Sequence, residues 1–348
     1  MISRFSIQHL APHGFVLSLA TVGLFSHQNA DLDALPSDII KGSLQTQYED
    51  AFVAANPLER FAVTALGALR YGLFGQASQG ALAGRNGWLF TAEELEQNTN
   101  FSANIDAAAT RVAEVSAEMA TRGIYLLPVI LPDKAEVYAE QLDRARPADV
   151  TERRGHFLAA LSDQRIATLD ATTALQTASQ NGDAFMRTDT HWSPHGSRAV
   201  AEAIADQVTE RGISLSTAAV STESTDRAYF EGDLLRFVPT GALRSWIGPA
   251  TEHIDRFTTT VETQGGLFDS PSIDVVLVGT SFSARPDWHF ADFLKQALQA
   301  DVLSFAEEGR GPFAPMQEFL ASDFYQNSPP KLVIWEIPVR YTSKEMIQ

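Results

Sequence analysis

Residues 124–131 read IYLLPVIL, an unbroken apolar run that ends at the turn formers Pro132 and Asp133. Neighbouring side chains along a strand point to opposite sides, so a strand that is apolar at every position is buried on both faces. Shorter apolar runs follow later in the chain, at 166–169, 273–278, 302–305 and 332–337. Strands of this kind predict a mostly parallel sheet that is covered on both faces.

Helices are predicted between these strands. Residues 103–122 repeat apolar side chains at the spacing of one helical face. Further helices are predicted at 151–161, 194–212 and 290–298. The helix at 194 has a clear start, because Ser193 can cap it and Pro194 fits its first turn. The alternation predicts an α/β fold of three layers, with the sheet in the middle.

The composition of the chain limits the classes of partner and site that it can have. The chain has 348 residues, 45% of them hydrophobic and 20% charged, which is typical of a globular protein. Its formal net charge of −17 argues against a nucleic-acid partner and against a polybasic membrane patch, since both need clustered Lys and Arg. The chain has no cysteine, so disulfides and thiolate metal sites are excluded.

The N-terminal 80 residues are predicted to lie outside the catalytic domain. Residues 1–30 are predicted to be a signal peptide or a membrane anchor, because the apolar part is long enough for a signal-peptide core but short for a spanning helix. Residues 31–80 are predicted to be a helical linker region, and 81–348 to be the catalytic domain. Within that domain, residues 214–270 are rich in Thr and Ser and are expected to be an irregular insertion.

A nucleophile-activating pattern lies in two separate segments. Asp189 precedes His191 by two residues, so in an extended segment both side chains point the same way. Ser281 follows the apolar run 273–278, at the strand end where sites form in open α/β sheets. Together they predict a Ser-His-Asp triad, and amides near Gly279 and Thr280 could bind an oxyanion. Taken singly, each residue could instead cap a turn or enter a helix.

Other chemical groups give weaker signals. Ser283 is a second candidate nucleophile, further into the loop. His195 follows His191 by four residues, but Pro194 separates them and no zinc-binding motif is present, so no metal or other cofactor is predicted. Asp133 and Lys134 fit a salt bridge at a strand end better than a substrate contact. Arg310 could contact an acyl oxygen or a sugar acid, or lie in a solvated loop.

Several segments together resemble the alginate O-acetyltransferase AlgJ/AlgX family. The resemblance covers about residues 80–341 and rests on the segments 84–90, 131–138, 189–192, 279–283, 305–312 and 332–338. It implies an SGNH-hydrolase-like fold, with the Asp and His ahead of the Ser as in a circular permutation of common SGNH hydrolases. By the resemblance, Ser281 is the nucleophile, His191 the base and Asp189 its partner, while Arg310 contributes to substrate binding.

The resemblance also implies a setting for the enzyme. The chain leaves no room after its last predicted strand for the carbohydrate-binding module of some AlgX-type proteins, so it is expected to be closer to the AlgJ type. That type implies a periplasmic protein tethered to the inner membrane through its N-terminus. It also implies a polysaccharide acceptor and a membrane-bound O-acyltransferase that supplies the acetyl group. A carbohydrate acetylesterase with the same triad and a non-catalytic subunit of an export complex remain alternatives.

Overall fold

A parallel sheet is the centre of the computed structural model, which describes residues 7–30, 43–97, 99–262 and 273–345. The strands are β1 (Ala81–Ala83), β2 (Leu89–Thr91), β3 (Tyr125–Leu131), β4 (Leu169–Asp170), β5 (Ala219–Phe230), β6 (Glu252–Glu262), β7 (Val275–Val278), β8 (Val302–Ser304) and β9 (Leu332–Pro338). The helices are α1 (Ile7–Asn29), α2 (Ser43–Ala54), α3 (Pro57–Phe74), α4 (Phe101–Thr121), α5 (Lys134–Val137), α6 (Ala148–Asp163), α7 (Thr172–Ser179), α8 (Pro194–Glu210), α9 (Arg244–Ile247), α10 (Ser281–Ala284), α11 (Phe290–Leu298), α12 (Phe313–Ala321) and α13 (Asp323–Asn327).

Five strands form the central sheet in the order β4-β3-β9-β7-β8, and every neighbouring pair is parallel. The predicted parallel sheet is therefore confirmed. The strand predicted at 166–169 is wrong in its extent, since β4 contains only Leu169 and Asp170. These two residues pair with Val129 and Ile130 of β3, and the residues before them have no strand partner.

Alternate residues of the buried strands face two separate apolar layers. Leu127 and Val129 of β3 belong to a core shared with α7, α8 and α11. Leu126 and Ile130 point the other way, into a core shared with α4, α6, α12 and α13. This is the three-layer arrangement expected from strands that are apolar at every position. Each such side chain stabilises the fold by about 1.5–3 kcal/mol through removal from water.

Much of the segment 214–270 is regular, because it contains strands β5 and β6, and this corrects the expectation from its composition. Strands β5 and β6 form a long antiparallel pair, with a register shift between Ser224 and Arg227. Most side chains of this pair are exposed or half-buried, so its strands carry polar β-branched residues instead of an apolar run. Residues 263–272 lie outside the described residues.

The chain divides into two compact units. The first unit contains residues 1–74 and 238–248, and the second contains 75–237 and 249–348. The first unit is helical where it is described, with α1, α2 and α3 followed much later by α9. Across the described ranges, none of the helices combines the length and apolarity required to span a bilayer. A signal peptide or anchor within residues 1–30 stays a prediction.

Candidate active site

Three side chains from two distant segments form a continuous hydrogen-bond chain. Asp189 Oδ1 lies 2.6 Å from His191 Nδ1, and His191 Nε2 lies 2.7 Å from Ser281 Oγ. Asp189 and His191 are buried, and Ser281 begins helix α10 directly beyond strand β7. The structure therefore brings together the three residues that the sequence pattern singled out. This geometry lets a proton pass from the serine hydroxyl to the imidazole.

Two aromatic rings pack against the imidazole of His191. The ring of Trp288 stacks on it, with 5.4 Å between centroids and 24° between planes, and the ring of Phe282 lies 4.7 Å away. The indole N–H of Trp192 donates to the carbonyl of Phe282, which joins the histidine segment to the serine segment. Close packing of this kind holds the imidazole in one orientation, so little ordering is needed during reaction.

The carboxylate of Asp189 accepts more hydrogen bonds than the one from the imidazole. Its Oδ1 also accepts from the backbone N–H of His191 at 3.0 Å, and its Oδ2 accepts from the N–H of Asp233 at 2.8 Å. Burial acts to raise the pKa of Asp189, but the hydrogen bonds and the charge of His191 outweigh it, so the pKa lies below its ordinary value. Asp189 is therefore held as a carboxylate.

Residues from the β5–β6 segment hold the loop that carries Asp189 and His191. Glu252 of β6 accepts hydrogen bonds from the backbone N–H groups of Arg187 and Thr188, each at 2.7 Å. Asp233 accepts from the N–H of Thr190 at 2.8 Å, and burial followed by the charge of Asp189 raises the pKa of Asp233 above its usual value. Residues of the segment 214–270 thus support the site.

Lys134 fastens the same loop from the end of strand β3. Its ammonium group is fully buried and donates to the carbonyl oxygens of Leu89, Arg187 and Asp189, at 2.5, 3.0 and 2.9 Å. Burial lowers the pKa of Lys134 to about 8. The salt bridge expected at this strand end is made by its neighbour Asp133, whose carboxylate lies 2.6 Å from Arg153. Lys134 therefore holds the backbone of the loop that carries Asp189, and its ammonium group is not available to bind substrate.

A buried carboxyl group on the central strand supports the serine turn. Glu336 of β9 accepts from the N–H of Thr280 at 2.7 Å and from the hydroxyl of Ser283 at 3.0 Å. A side chain at Gly279 would lie only 2.6 Å from the Glu336 carboxyl, so glycine is needed for this approach. The amide of Thr280 is thus engaged, which corrects its predicted part in an oxyanion site. The oxyanion role of Gly279 stays a prediction.

Glu336 should make the stability of the protein depend on pH. Burial raises its pKa from 4.5 to about 7, so the folded chain holds this proton more tightly than the unfolded chain. Its contribution to stability is fully present below pH 4.5 and is lost as the pH rises through 7. Relative to Glu336→Gln, which mimics the protonated form, the unfolding free energy of the native protein should fall by about 3 kcal/mol over this range.

Urea unfolding of both proteins between pH 5 and 8 measures this difference. Glu94 is also buried with its pKa raised to about 7, but it is present in both proteins and cancels in the comparison. Parallel pH curves for the two proteins would show that Glu336 does not titrate in this window.

Arg310 and His195, which the sequence also singled out, have hydrogen-bond partners other than the three site residues. Arg310 is half-exposed and forms ion pairs with Glu307, at 2.8 Å, and with Glu318. Its part in substrate binding stays a prediction. His195 Nε2 lies 3.0 Å from the carbonyl oxygen of Ala178, so this histidine anchors the start of α8.

One group in the described part of the chain could hold a metal ion by proximity alone. It consists of Asp189, His191 and Asp233, whose donor atoms lie within 4.8 Å of one another. All three side chains already have hydrogen-bond partners, and His191 Nε2 faces Ser281. The arrangement fits proton transfer, and a metal ion would have to displace these bonds.

Comparisons with known proteins identify the family of the chain. A family model described as the SGNH hydrolase-like domain of acetyltransferase AlgX matches residues 81–339. A probable alginate O-acetylase AlgJ from Pseudomonas putida is 33% identical over 329 residues, covering 92% of this chain and 84% of the relative. Another from Azotobacter vinelandii is 34% identical over 310 residues, covering 87% and 80%.

Solved structures show the same fold. The O-acetyltransferase domain of Pseudomonas putida AlgJ superposes with a TM-score of 0.71 and 32% identity, covering 77% of this chain and 94% of that domain. Pseudomonas aeruginosa AlgX gives a TM-score of 0.57 at 22% identity, covering 76% and 63%.

Proposed function

Because the chain belongs to the SGNH hydrolase-like acetyltransferase family that includes AlgJ and AlgX, we propose that it transfers acetyl groups to a polysaccharide through Ser281. The similarity to alginate O-acetylases and to a solved O-acetyltransferase domain makes the chain a polysaccharide O-acetyltransferase. The observation that carries the proposed mechanism is the unbroken hydrogen-bond chain from Asp189 through His191 to Ser281.

In the first half-reaction, Ser281 Oγ attacks the carbonyl carbon of an acetyl ester. His191 Nε2 takes the hydroxyl proton as the new C–O bond forms, and Asp189 stabilises the resulting imidazolium. The bond to the donor oxygen then breaks, and His191 returns the proton to that leaving oxygen. The product is an acetyl ester on Ser281. The backbone N–H of Ser281, at the first position of α10, is the candidate donor to the oxyanion.

In the second half-reaction, a sugar hydroxyl takes the place of the leaving alcohol. His191 removes the proton of that hydroxyl as its oxygen attacks the acetyl carbon, and the proton then returns to Ser281 Oγ. Transfer to sugar instead of water requires that the acceptor be bound close to the ester and that water be kept away. An acetylesterase would run the same chemistry with water in place of the sugar.

The polymer is proposed to be alginate or a similar uronic acid polymer, because the relatives are named alginate O-acetylases. A polyanionic acceptor is repelled by a chain of net charge −17 unless cations lie near the site. Arg285 lies near the site, since its guanidinium is 5.1 Å from the ring of Trp288, which stacks on His191, and this cation is shared with Asp287 at 2.8 Å. We also propose a periplasmic location, with acetyl groups supplied by a membrane-bound O-acyltransferase.

Intact mass spectrometry tests the acetyl-serine intermediate. After brief exposure to a chromogenic acetyl ester, the protein should gain the mass of one acetyl group, on the peptide that contains Ser281. Addition of deacetylated oligouronate should remove that group and yield acetylated sugar. Release of free acetate alone, at the same rate with and without the oligosaccharide, would instead identify an esterase. Absence of any turnover would favour the alternative that the chain is a non-catalytic subunit of an export complex.

A further inference from the structure

Exposed large apolar side chains are concentrated in the first unit. Within the described residues, twelve such side chains are strongly exposed, and eleven belong to residues 1–74 or 238–248. The exception is Tyr229 in the second unit. Because the second unit is about three times longer, this distribution marks the first unit as the part of the chain with an uncovered apolar surface.

Two stretches of the first unit, which pack against each other, carry most of these exposed side chains and are here called the patch. The patch consists of residues 64–74 of α3 and residues 238–248, and it exposes Leu66, Leu69, Leu73, Phe74, Leu243, Trp246 and Ile247. The two stretches are in direct contact. A side chain at Gly67 would lie 2.6 Å from the carbonyl oxygen of Pro239, and one at Gly72 would overlap the side chain of Ile247. Glycine at these positions lets α3 pack closely against residues 238–248.

The charge of the patch differs from that of the rest of the chain. Its charged residues are Arg70 and Arg244, and neither stretch contains Asp or Glu. The first unit as a whole has 5 Lys and Arg against 6 Asp and Glu, whereas the second has 21 against 37. Nearly all of the net charge of −17 therefore belongs to the second unit. An anionic surface would repel the second unit but not the patch.

We propose that this patch binds the surface of an anionic phospholipid membrane. Leucines, a tryptophan and arginines together, without carboxylates, fit the boundary between lipid headgroups and acyl chains. Leu66, Leu69 and Leu73 lie along one stripe of α3, as in helices that lie flat on a membrane. The acidic surface of a protein partner, or of a second copy of this chain, could attract Arg70 and Arg244. That attraction would not account for the exposed leucines.

The proposal gives the chain a contact with lipid that is independent of residues 1–30. The bilayer would be touched by a helix and a loop that lie on it, and no spanning helix is required. The proposal does not depend on the acetyl-serine mechanism, since the patch contains none of the triad residues.

Tryptophan fluorescence of the full chain tests the proposal directly. All five tryptophans lie in the described ranges; Trp246 is 88% exposed, while Trp88 is 3% exposed and Trp192, Trp288 and Trp335 are 0% exposed. Vesicles of phosphatidylglycerol and phosphatidylcholine with brominated acyl chains should therefore quench Trp246 selectively and shift its emission to the blue. The Trp246→Phe variant should lose the quenched component. The Leu69→Asn, Leu73→Asn double variant should bind at least about 10-fold more weakly.

A matched control is available on the second unit. Tyr229→Ser removes the exposed aromatic residue of that unit and should leave quenching unchanged. Circular dichroism checks that all variants are folded, which is expected because the substituted side chains are at least half exposed. Binding of the chain to vesicles without quenching of Trp246 would overturn the proposal and leave the N-terminal segment as the anchor. A blue shift that grows with protein concentration in the absence of lipid would overturn it in favour of a second copy. Equal quenching in purely phosphatidylcholine vesicles would overturn the assignment to anionic lipid.

Discussion

Replacing Ser281 with alanine is expected to abolish acetyl transfer, with turnover of a chromogenic acetyl ester reduced by at least about 10³-fold. The hydroxyl lies 2.7 Å from the imidazole that would activate it, and no covalent intermediate can form without that oxygen. The variant protein should also fail to gain an acetyl group in intact mass. Stability should change little, because the serine lies at the start of a short helix and its side chain is only partly buried.

Ser283→Ala is the matched control for this prediction. Ser283 lies two residues further along, and its hydroxyl donates to Glu336 and not to His191. Its removal is expected to cost about 1 kcal/mol of stability and to reduce turnover by less than about 10-fold. Full turnover in Ser281→Ala together with loss of turnover in Ser283→Ala would show that the nucleophile has been assigned to the wrong serine.

Replacing Asp189 with asparagine is expected to reduce turnover by about 10³- to 10⁴-fold while the fold is retained. The amide of the new side chain would donate to His191 Nδ1, which now donates to the carboxylate at 2.6 Å. The imidazole would then carry its proton on Nε2, the nitrogen that faces Ser281. In that form it cannot accept the serine proton. The loss should therefore fall on the rate of chemistry, kcat, and much less on KM.

Asp233→Asn is the control for the second prediction, since it makes the same chemical change in a neighbouring carboxyl group. Asp233 donates a hydrogen bond to Asp189 through its backbone N–H, which the substitution keeps. Its side-chain oxygen accepts from Thr190, and the amide oxygen of asparagine can do the same. Steady-state kinetics should show less than about a 10-fold change. Equal losses in both variants would mean that the two carboxylates act as one unit.

The central sheet was predictable because strands that are buried on both faces are apolar at consecutive positions. Strands such as β3 and β9 are apolar at nearly every position, and no surface segment tolerates such a run. The triad was predictable for a different reason. Asp189 and His191 are neighbours along the chain, and the parallel topology brings the carboxyl ends of the strands, including the one before Ser281, to the same edge.

The supporting residues were harder to find. Glu336 carried one signal, since a carboxyl group within the apolar run 332–337 is costly to bury unless it has partners. The sequence gives no such signal for Asp233 and Glu252, because their segment is rich in Thr and Ser and its role depends on the pairing of β5 with β6. Thr280 was misjudged for a related reason. Its amide bonds to a residue 56 positions later, and local sequence does not show that contact.

The position of β9 in the sheet has a consequence for how the protein is made. This strand is the last of the described strands along the chain, yet it lies in the middle of the sheet, between β3 and β7. During synthesis β3 emerges some 200 residues before its partner, so loop closure over that span must come late. Until β9 has been made, β3 and β7 each have one unpaired edge, which favours binding by chaperones before folding. Shortening the gene from its 3′ end past Leu332 should therefore yield an aggregating product and not a smaller enzyme.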